Sequence, residues 1–214
     1  MTTRILLIRH GQTDWNVQGR CQGMTDTSLS EVGKAQARAL GRWLRGRIGV
    51  DLPTPEFVVA SDLERARETA RIATEGLKIP PIQLDPAWRE IAFGVWEGLT
   101  WDEIGIKYPE VEKQHRADPF RTRVPEGETQ EEVLHRSKTA LLRLIDEHPN
   151  SLGIVFSHGS LIRILISNLL GIDPLLSRHV RIFNCSTSEV RGKPGEEPRV
   201  IGYNDHCYLP SELY

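Results

Sequence analysis

The chain has no long apolar run, no block of like charge and no closely paired cysteines, and each absence excludes a class of protein. A membrane-spanning helix needs about 20 consecutive apolar residues. The N-terminal run Ile5-Leu6-Leu7-Ile8 is instead cut by Arg9 and His10, and no small-residue cleavage site of a secretory leader follows it. Acidic and basic residues alternate around a formal net charge of -2. That balance gives no basis for a nucleic-acid or membrane-surface partner, so any cationic feature must be assembled by folding. The three cysteines, Cys21, Cys185 and Cys207, are odd in number and widely spaced. They suit neither a disulfide framework nor a zinc finger and point to a reducing compartment. A soluble, cytoplasmic protein is the expectation.

The 214 residues suffice for one well-filled core, and no repeat or low-complexity linker divides them. A single domain over residues 1–214 is expected. Residues 4–8 form a compact apolar strand, and Ser30 is a good N-cap for a helix with Val32, Gln36, Leu40, Trp43 and Leu44 near one face. Residues 57–60 read as a strand and 63–74 as a helix. Thr129 and Glu132 make a capping box for a helix running to about His148. Residues 153–156 are again all apolar, a helix follows over 161–170, and strands near 180–183, 188–190 and 200–203 complete the pattern. Strands alternating with helices predict an α/β, three-layer sandwich with a largely parallel central sheet flanked by helices. Residues 87–128 are less regular and are expected to form a lobe over the active site.

Two places share one local design. The strand at 5–8 runs into Arg9-His10-Gly11, and the strand at 153–156 runs into Ser157-His158-Gly159. In each, a glycine lets the chain turn sharply and approach a ligand closely. Ligands of open α/β sheets bind at the carboxyl ends of strands, so the two histidines can face one crevice. A metal is one candidate occupant, because histidine is the commonest metal ligand. Arg9 beside His10 and Arg65 in Ser61-Asp62-Leu63-Glu64-Arg65-Ala66 argue for an anion instead, since guanidinium groups repel a divalent cation. Phosphate suits forked arginine donors and backbone N–H groups at a helix start. Phosphoryl transfer then needs a carboxylic acid for the leaving alkoxide, and Glu90 in Trp88-Arg89-Glu90-Ile91-Ala92-Phe93-Gly94-Val95-Trp96-Glu97-Gly98 is the best candidate.

RHGQTDWN from Arg9, LSEVGKAQA from Leu29, SDLERARETA from Ser61, REIAFGVWEG from Arg89 and SHGSLIR from Ser157 together resemble the histidine phosphatase superfamily. The likeness is to the branch related to cofactor-dependent phosphoglycerate mutase, and it runs in order along essentially the whole chain. It implies a phosphoglycerate mutase-like fold and residue roles by position. His10 would accept the phosphoryl group, while Arg9, Arg65 and His158 hold the phosphate oxygens. Asn16 and Gln22 would be further donors, with Gly11 and Gly159 in the phosphate-binding turns. Glu90 would protonate the leaving group and then activate water. In the acid phosphatase branch an acidic residue follows the second histidine; here Gly159 does, which leaves that role to Glu90. No metal and no cofactor are expected. The partner implied is a small-molecule phosphomonoester, and a homodimer is left open.

Three rival readings remain. Mutases of this branch carry a longer insert before the Gly127-Glu128-Thr129 stretch and an extended C-terminal tail, and the modest segment 99–126 favours a phosphatase. A module that binds phosphoesters without turnover is the second, since fold does not fix function. The third is a cysteine-dependent phosphatase, because Cys185 and Arg191 have Cys-x5-Arg spacing. The stretch between them lacks glycine, contains Glu189 and reads better as a strand. Among the remaining residues, Glu97 reads as a surface or loop-bracing carboxylate and Arg67 as solvent-facing; Phe93 and Trp96 read as core rather than substrate-stacking, with the irregular lobe able to expose one of them. Because Glu90 must carry a proton for the first step, esters with poor leaving groups should be cleaved best on the acid side of neutral. Substrate choice lies in residues 92–125 and 204–214.

Overall fold

Both faces of the central sheet are covered, and the alternation of apolar side chains along its inner strands shows how. The computed structural model describes residues 2–213. Its elements in chain order are β1 (Thr3–Arg9), α1 (Asp14–Val17), α2 (Glu31–Arg47), β2 (Phe57–Ala60), α3 (Glu64–Thr74), β3 (Ile82–Leu84) and α4 (Trp101–Lys107). They continue with α5 (Pro109–Ala117), α6 (Gln130–Glu147), β4 (Leu152–Ser157), α7 (Gly159–Leu169), β5 (Thr187–Gly192) and β6 (Arg199–Asp205). The sheet order is β3-β2-β4-β1-β5-β6. The first four strands run parallel, while β5 is antiparallel to β1 and β6 to β5.

Successive side chains of a strand point to opposite faces. Leu6 and Ile8 of β1 therefore pack with Leu40 and Leu44 of α2 and Ala70 of α3. Ile5 and Leu7 pack on the other face with Leu141 of α6 and Leu165 of α7. Every one of these residues is buried. Complete burial of one such aliphatic side chain contributes about 1.5–3 kcal/mol, which fixes the register of β1 between two helical layers. The result is the three-layer α/β sandwich expected from the sequence.

Some local expectations need correction. Val32 is not on the buried face of α2: it is 36% exposed, and Gly33, Gln36, Ala37, Leu40 and Leu44 make the stripe. Residues 180–183 form no strand. Two of their backbone groups are taken by side chains, with Ile182 O accepting from Arg9 Nη1 and Phe183 N–H donating to Asn204 Oδ1, while Val180 N–H and Phe183 O pair within local turns. The lobe is more regular than expected, because α4 and α5 form within it. Thr100 and Glu103 make a capping box for α4, and Pro109 opens α5 at a position where no helical N–H bond is lost. The short strand β3, partly exposed to solvent, carries no pattern strong enough to be read in advance.

Among the described residues, no helix is long and apolar enough to cross a membrane.

Candidate active site

Parallel pairing sets the ends of β1 and β4 side by side, with Arg9 opposite Ser157. The register continues one residue further, where His10 N–H donates to Ser157 O at 2.9 Å. The helix after β1 covers one face of the sheet and the helix after β4 the other. A crevice opens between strands wherever following helices diverge in this way. His10 and His158 meet there, buried, with ring centroids 5.2 Å apart.

The hydrogen bonds fix what each ring can do. His10 Nδ1 lies 2.7 Å from Gly11 O, and a carbonyl only accepts, so Nδ1 carries the proton and Nε2 keeps its lone pair. Burial, followed by the charges of Arg65 and Arg9, holds His10 well below the ordinary histidine range and therefore neutral. His158 is held low mainly by burial, with Arg65 and His10 adding to it. Its Nε2 pairs with Ser61 Oγ at 2.8 Å, and its buried Nδ1 has no protein partner among the described residues.

The arginines are anchored so that part of each stays free. Arg65 donates from Nη1 to Thr25 O at 2.9 Å and from Nη2 to Gly23 O at 2.7 Å, and Arg9 donates from Nη1 to Ile182 O at 2.6 Å. The Nε of each is shielded from solvent without a protein acceptor among the described residues. Burial lowers Arg9 to about 10, which still leaves it cationic at neutral pH. Asn16 Oδ1 accepts from Thr13 N–H at 3.1 Å and from Asn184 Nδ2 at 3.2 Å; Gln22 Oε1 faces the Thr13 and Thr27 hydroxyls. With their oxygens engaged, both amides have N–H groups to offer the cleft that they line.

The two glycines differ. Gly159 lines the cleft, and a Cβ there would come within 3.1 Å of Arg9 Nε, so its bareness gives that guanidinium room. Gly11 does not enter the cleft lining. Its N–H donates to Thr69 Oγ1 at 2.9 Å, and a Cβ would meet Gly33 O at 2.6 Å. What Gly11 permits is close packing of the turn on α2; its backbone amide is not free for a ligand.

Glu90 is buried against the start of α7. Its Oε2 accepts from Ser160 N–H and its Oε1 from Leu161 N–H, both at 3.0 Å, while Ile91 N–H adds a third bond at 3.0 Å. A carboxylate is well placed at the positive end of a helix. The loop carrying it is held by Arg136, which donates to Ala87 O, Arg89 O and Glu90 O at 2.8–3.0 Å and pairs with Glu128. The sequence carries no signal for Arg136, whose carbonyl partners lie 46 to 49 positions away, or for Ser61 as the partner of His158. Together these groups enclose a cleft of about 410 Å³ whose lining includes six arginines and one acid, Glu90.

The histidine phosphatase superfamily (branch 1) matches this chain over residues 5–206. The chain belongs to that family. It is 31% identical over 207 residues to the uncharacterized phosphatase PhoE of Bacillus subtilis, covering 97% of both chains. With the probable phosphoglycerate mutase GpmB of Erwinia tasmaniensis it shares 34% identity over 187 residues, or 87% of this chain and 84% of that one. The solved structure of Bacillus stearothermophilus YhfR superposes with a TM-score of 0.85 at 29% identity, over 96% of this chain and 98% of the other. Phosphatase- and mutase-type enzymes are thus both among the relatives.

Within this histidine phosphatase fold, the remaining candidates sort by position. Arg67 is exposed, whereas Arg65 is fully buried. Glu97 is a loop brace: it accepts from Met24 N–H, Thr25 N–H and Thr25 Oγ1 at 2.5–2.9 Å and from Phe93 N–H at 3.1 Å. The carbonyls that hold Arg65 lie in the loop it braces. Trp96 is fully buried with Ile104, Val124 and Cys21 in a small core of the lobe, while Phe93 and Trp101 line the cleft. Cys185 is buried, and burial pushes its thiol up; Arg191 lies within β5 and pairs with Glu189. The two do not form a phosphate cradle.

Proposed function

We propose that this chain is a phosphomonoesterase that moves the phosphoryl group of a small ester first to His10 Nε2 and then to water. One observation carries the reading: a neutral His10 with a free Nε2 lone pair lies in a cleft with Arg9 and Arg65, each holding a buried Nε–H without a protein acceptor among the described residues, and its ring lies 5.2 Å from that of His158. Buried donors in native proteins nearly always have partners, and two of them beside a nucleophile suit the oxygens of a phosphoryl group.

In the first step Nε2 attacks phosphorus as the ester P–O bond breaks, and Glu90 gives its proton to the leaving alkoxide. In the second step Glu90 takes a proton from water, which attacks phosphorus, breaks the N–P bond and releases inorganic phosphate. The loose transition state gathers charge on the equatorial oxygens, so the fixed donors of Arg9, Arg65, His158, Asn16 and Gln22 stabilise it where it forms. Six arginines and a single carboxylate are a poor donor set for a divalent cation, in keeping with metal-independent chemistry.

Hydrolysis is favoured over phosphoryl return to substrate because the cleft is open to water: Trp101 and Phe183 in its lining remain 47% and 38% exposed. The test is phosphate release from a panel of small phosphomonoesters in excess chelator, with His10→Ala alongside. Turnover that survives chelation and disappears in His10→Ala supports the mechanism. Isomerisation of a phosphoglycerate without phosphate release would replace it with the mutase reading, and tight binding without either would leave a binding module.

A further inference from the structure

The cleft holds more positive charge than one phosphate uses. Of the six arginines in its lining, Arg9 and Arg65 flank His10, and Arg20 is spent on Gly98 O and Glu103. Arg163, Arg178 and Arg181 are left over. Arg163 makes no hydrogen bond or ion pair with the described residues, and its Nε is shielded from solvent without a protein acceptor. Arg181 is exposed and equally unpaired among them, and Arg178 touches only His179 Nε2, at 3.4 Å. Glu90, the one acid of the lining, attracts Arg163 across the cleft but makes no hydrogen bond or ion pair with it.

We propose that Arg163, assisted by Arg178 and Arg181, is a second anion subsite, and that the substrate is a small phosphoester bearing a second anionic group, a carboxylate or another phosphate. The proposal rests on the phosphomonoesterase reading and narrows its substrate class. Arg163 is half-buried with its Nε shielded from water and without a protein acceptor among the described residues, and an incoming anion would give that N–H a charge-assisted partner.

Placement on α7 supports the assignment. The helix turns Gly159, Ser160, Arg163 and Ile164 toward the cleft, the spacing of one helical face. At 1.5 Å per residue, Arg163 starts roughly 7 Å along the axis from His158, and helical side chains lean back toward the N-terminus. Its charged head therefore neighbours the phosphate donors, close enough for its charge to act on Arg9, and a second anionic group on a short carbon skeleton falls within its reach. Arg178 and Arg181, from the loop before β5, line the same cleft. Phe93 and Trp101 give the intervening skeleton apolar walls.

The test compares matched esters that differ in the second charge: 3-phosphoglycerate with glycerol 3-phosphate, O-phosphoserine with phosphoethanolamine, and a sugar bisphosphate with its monophosphate. The wild type is expected to favour the doubly anionic member by about 10- to 100-fold in kcat/KM, the range of one charge-assisted hydrogen-bonded pair. The carboxylate and bisphosphate arms show which anion the subsite takes. Arg163→Met should collapse the preference toward unity, and Arg163→Lys should keep part of it. If Arg163→Met does not fold, the double variant R178Q/R181Q, at exposed positions, should still reduce the preference several-fold. A wild-type ratio near unity, or an Arg163→Met loss equal for both members of each pair, overturns the proposal. If no ester is turned over, the phosphomonoesterase reading fails on its own. Calorimetric titration of the same pairs into the unreactive protein then judges the subsite: a retained preference supports it and equal affinity rejects it.

Discussion

Glu90 accepts a hydrogen bond from the backbone N–H of Leu161, 71 positions further along the chain, at 3.0 Å. That bond ties the proposed proton donor to the helix that follows His158, so acid and phosphate ligand move as one unit. Glu90→Gln keeps the shape and one oxygen acceptor but has no proton to give an alkoxide. For alkyl phosphates kcat should fall by about 10²- to 10⁴-fold, the usual worth of a general acid–base group. An aryl ester such as p-nitrophenyl phosphate leaves without help, so its phosphorylation step should be slowed far less. Burst kinetics with that ester separate the two steps, and equal slowing of phosphorylation for both ester types would remove Glu90 from the role.

Acid should weaken the fold through its two buried histidines. Both His10 and His158 titrate well below the ordinary value of 6.5, chiefly through burial. Above that value both are neutral in folded and unfolded chains alike, and neither contributes. Below it the unfolded chain binds protons that the folded chain refuses, so stability falls with pH until the folded-state values are reached. Each histidine can cost up to about 1.4 kcal/mol per pH unit in that window. Urea unfolding of wild type and His10→Gln at pH 7.5 and 5.5, in phosphate-free buffer, isolates one of them. The variant should lose less stability on acidification, and parallel losses would contradict the neutral assignment.

Cys185 offers a direct contrast between two chemistries. Burial pushes its thiol up and so disfavours the thiolate, which is the nucleophilic form. Cys185→Ser should therefore keep turnover within about threefold of wild type, with the main cost a loss of about 1–2 kcal/mol in stability at a buried site. Rapid acid- and base-quench of turnover should trap an acid-labile, base-stable phosphoenzyme, as a phosphohistidine is. A phosphoenzyme lost in Cys185→Ser but present in His10→Ala would reverse the assignment.

Much of this arrangement can be read from the chain because it is local. The apolar runs at residues 5–8 and 153–156 dictate two strands buried on both faces, and the His-Gly pair after each marks a carboxyl end. Their lateral pairing then brings His10 and His158 together. Arg65 is legible from its place in the first turn of α3, whereas Arg136 and Ser61 are not. Their partners, the carbonyls around Glu90 and the ring of His158, are set by tertiary packing rather than by spacing. Residues 180–183 misled for a related reason. An apolar alternation suggests a strand, but Arg9 and Asn204 capture two of the backbone groups that a ladder would use and local turns take others. Gly11 shows the same limit, since a glycine beside a histidine can serve the ligand or the helix behind it, and only Gly33 O at its back decides.

The last prediction concerns a residue that touches no reacting atom. Glu97 gathers the N–H groups of Met24 and Thr25, and the carbonyls of Gly23 and Thr25 hold Arg65. Glu97 is thus a positioning residue for Arg65, acting through the loop between them. Glu97→Ala leaves those N–H groups to water and frees the loop, so stability should fall by about 1–3 kcal/mol. Arg65 would keep its charge but lose its fixed aim, and a donor preorganised for the transition state loses more there than in the ground state. The expected signature is a fall in kcat of about tenfold or more with a smaller change in KM, and partial rescue by Glu97→Gln, whose side-chain oxygen can still accept from the loop. A variant destabilised to the same degree elsewhere, such as Leu44→Ala in the core, should leave both constants near wild type at temperatures where it is folded. If Glu97→Ala behaves like Leu44→Ala, its carboxylate stabilises the fold without aiming Arg65.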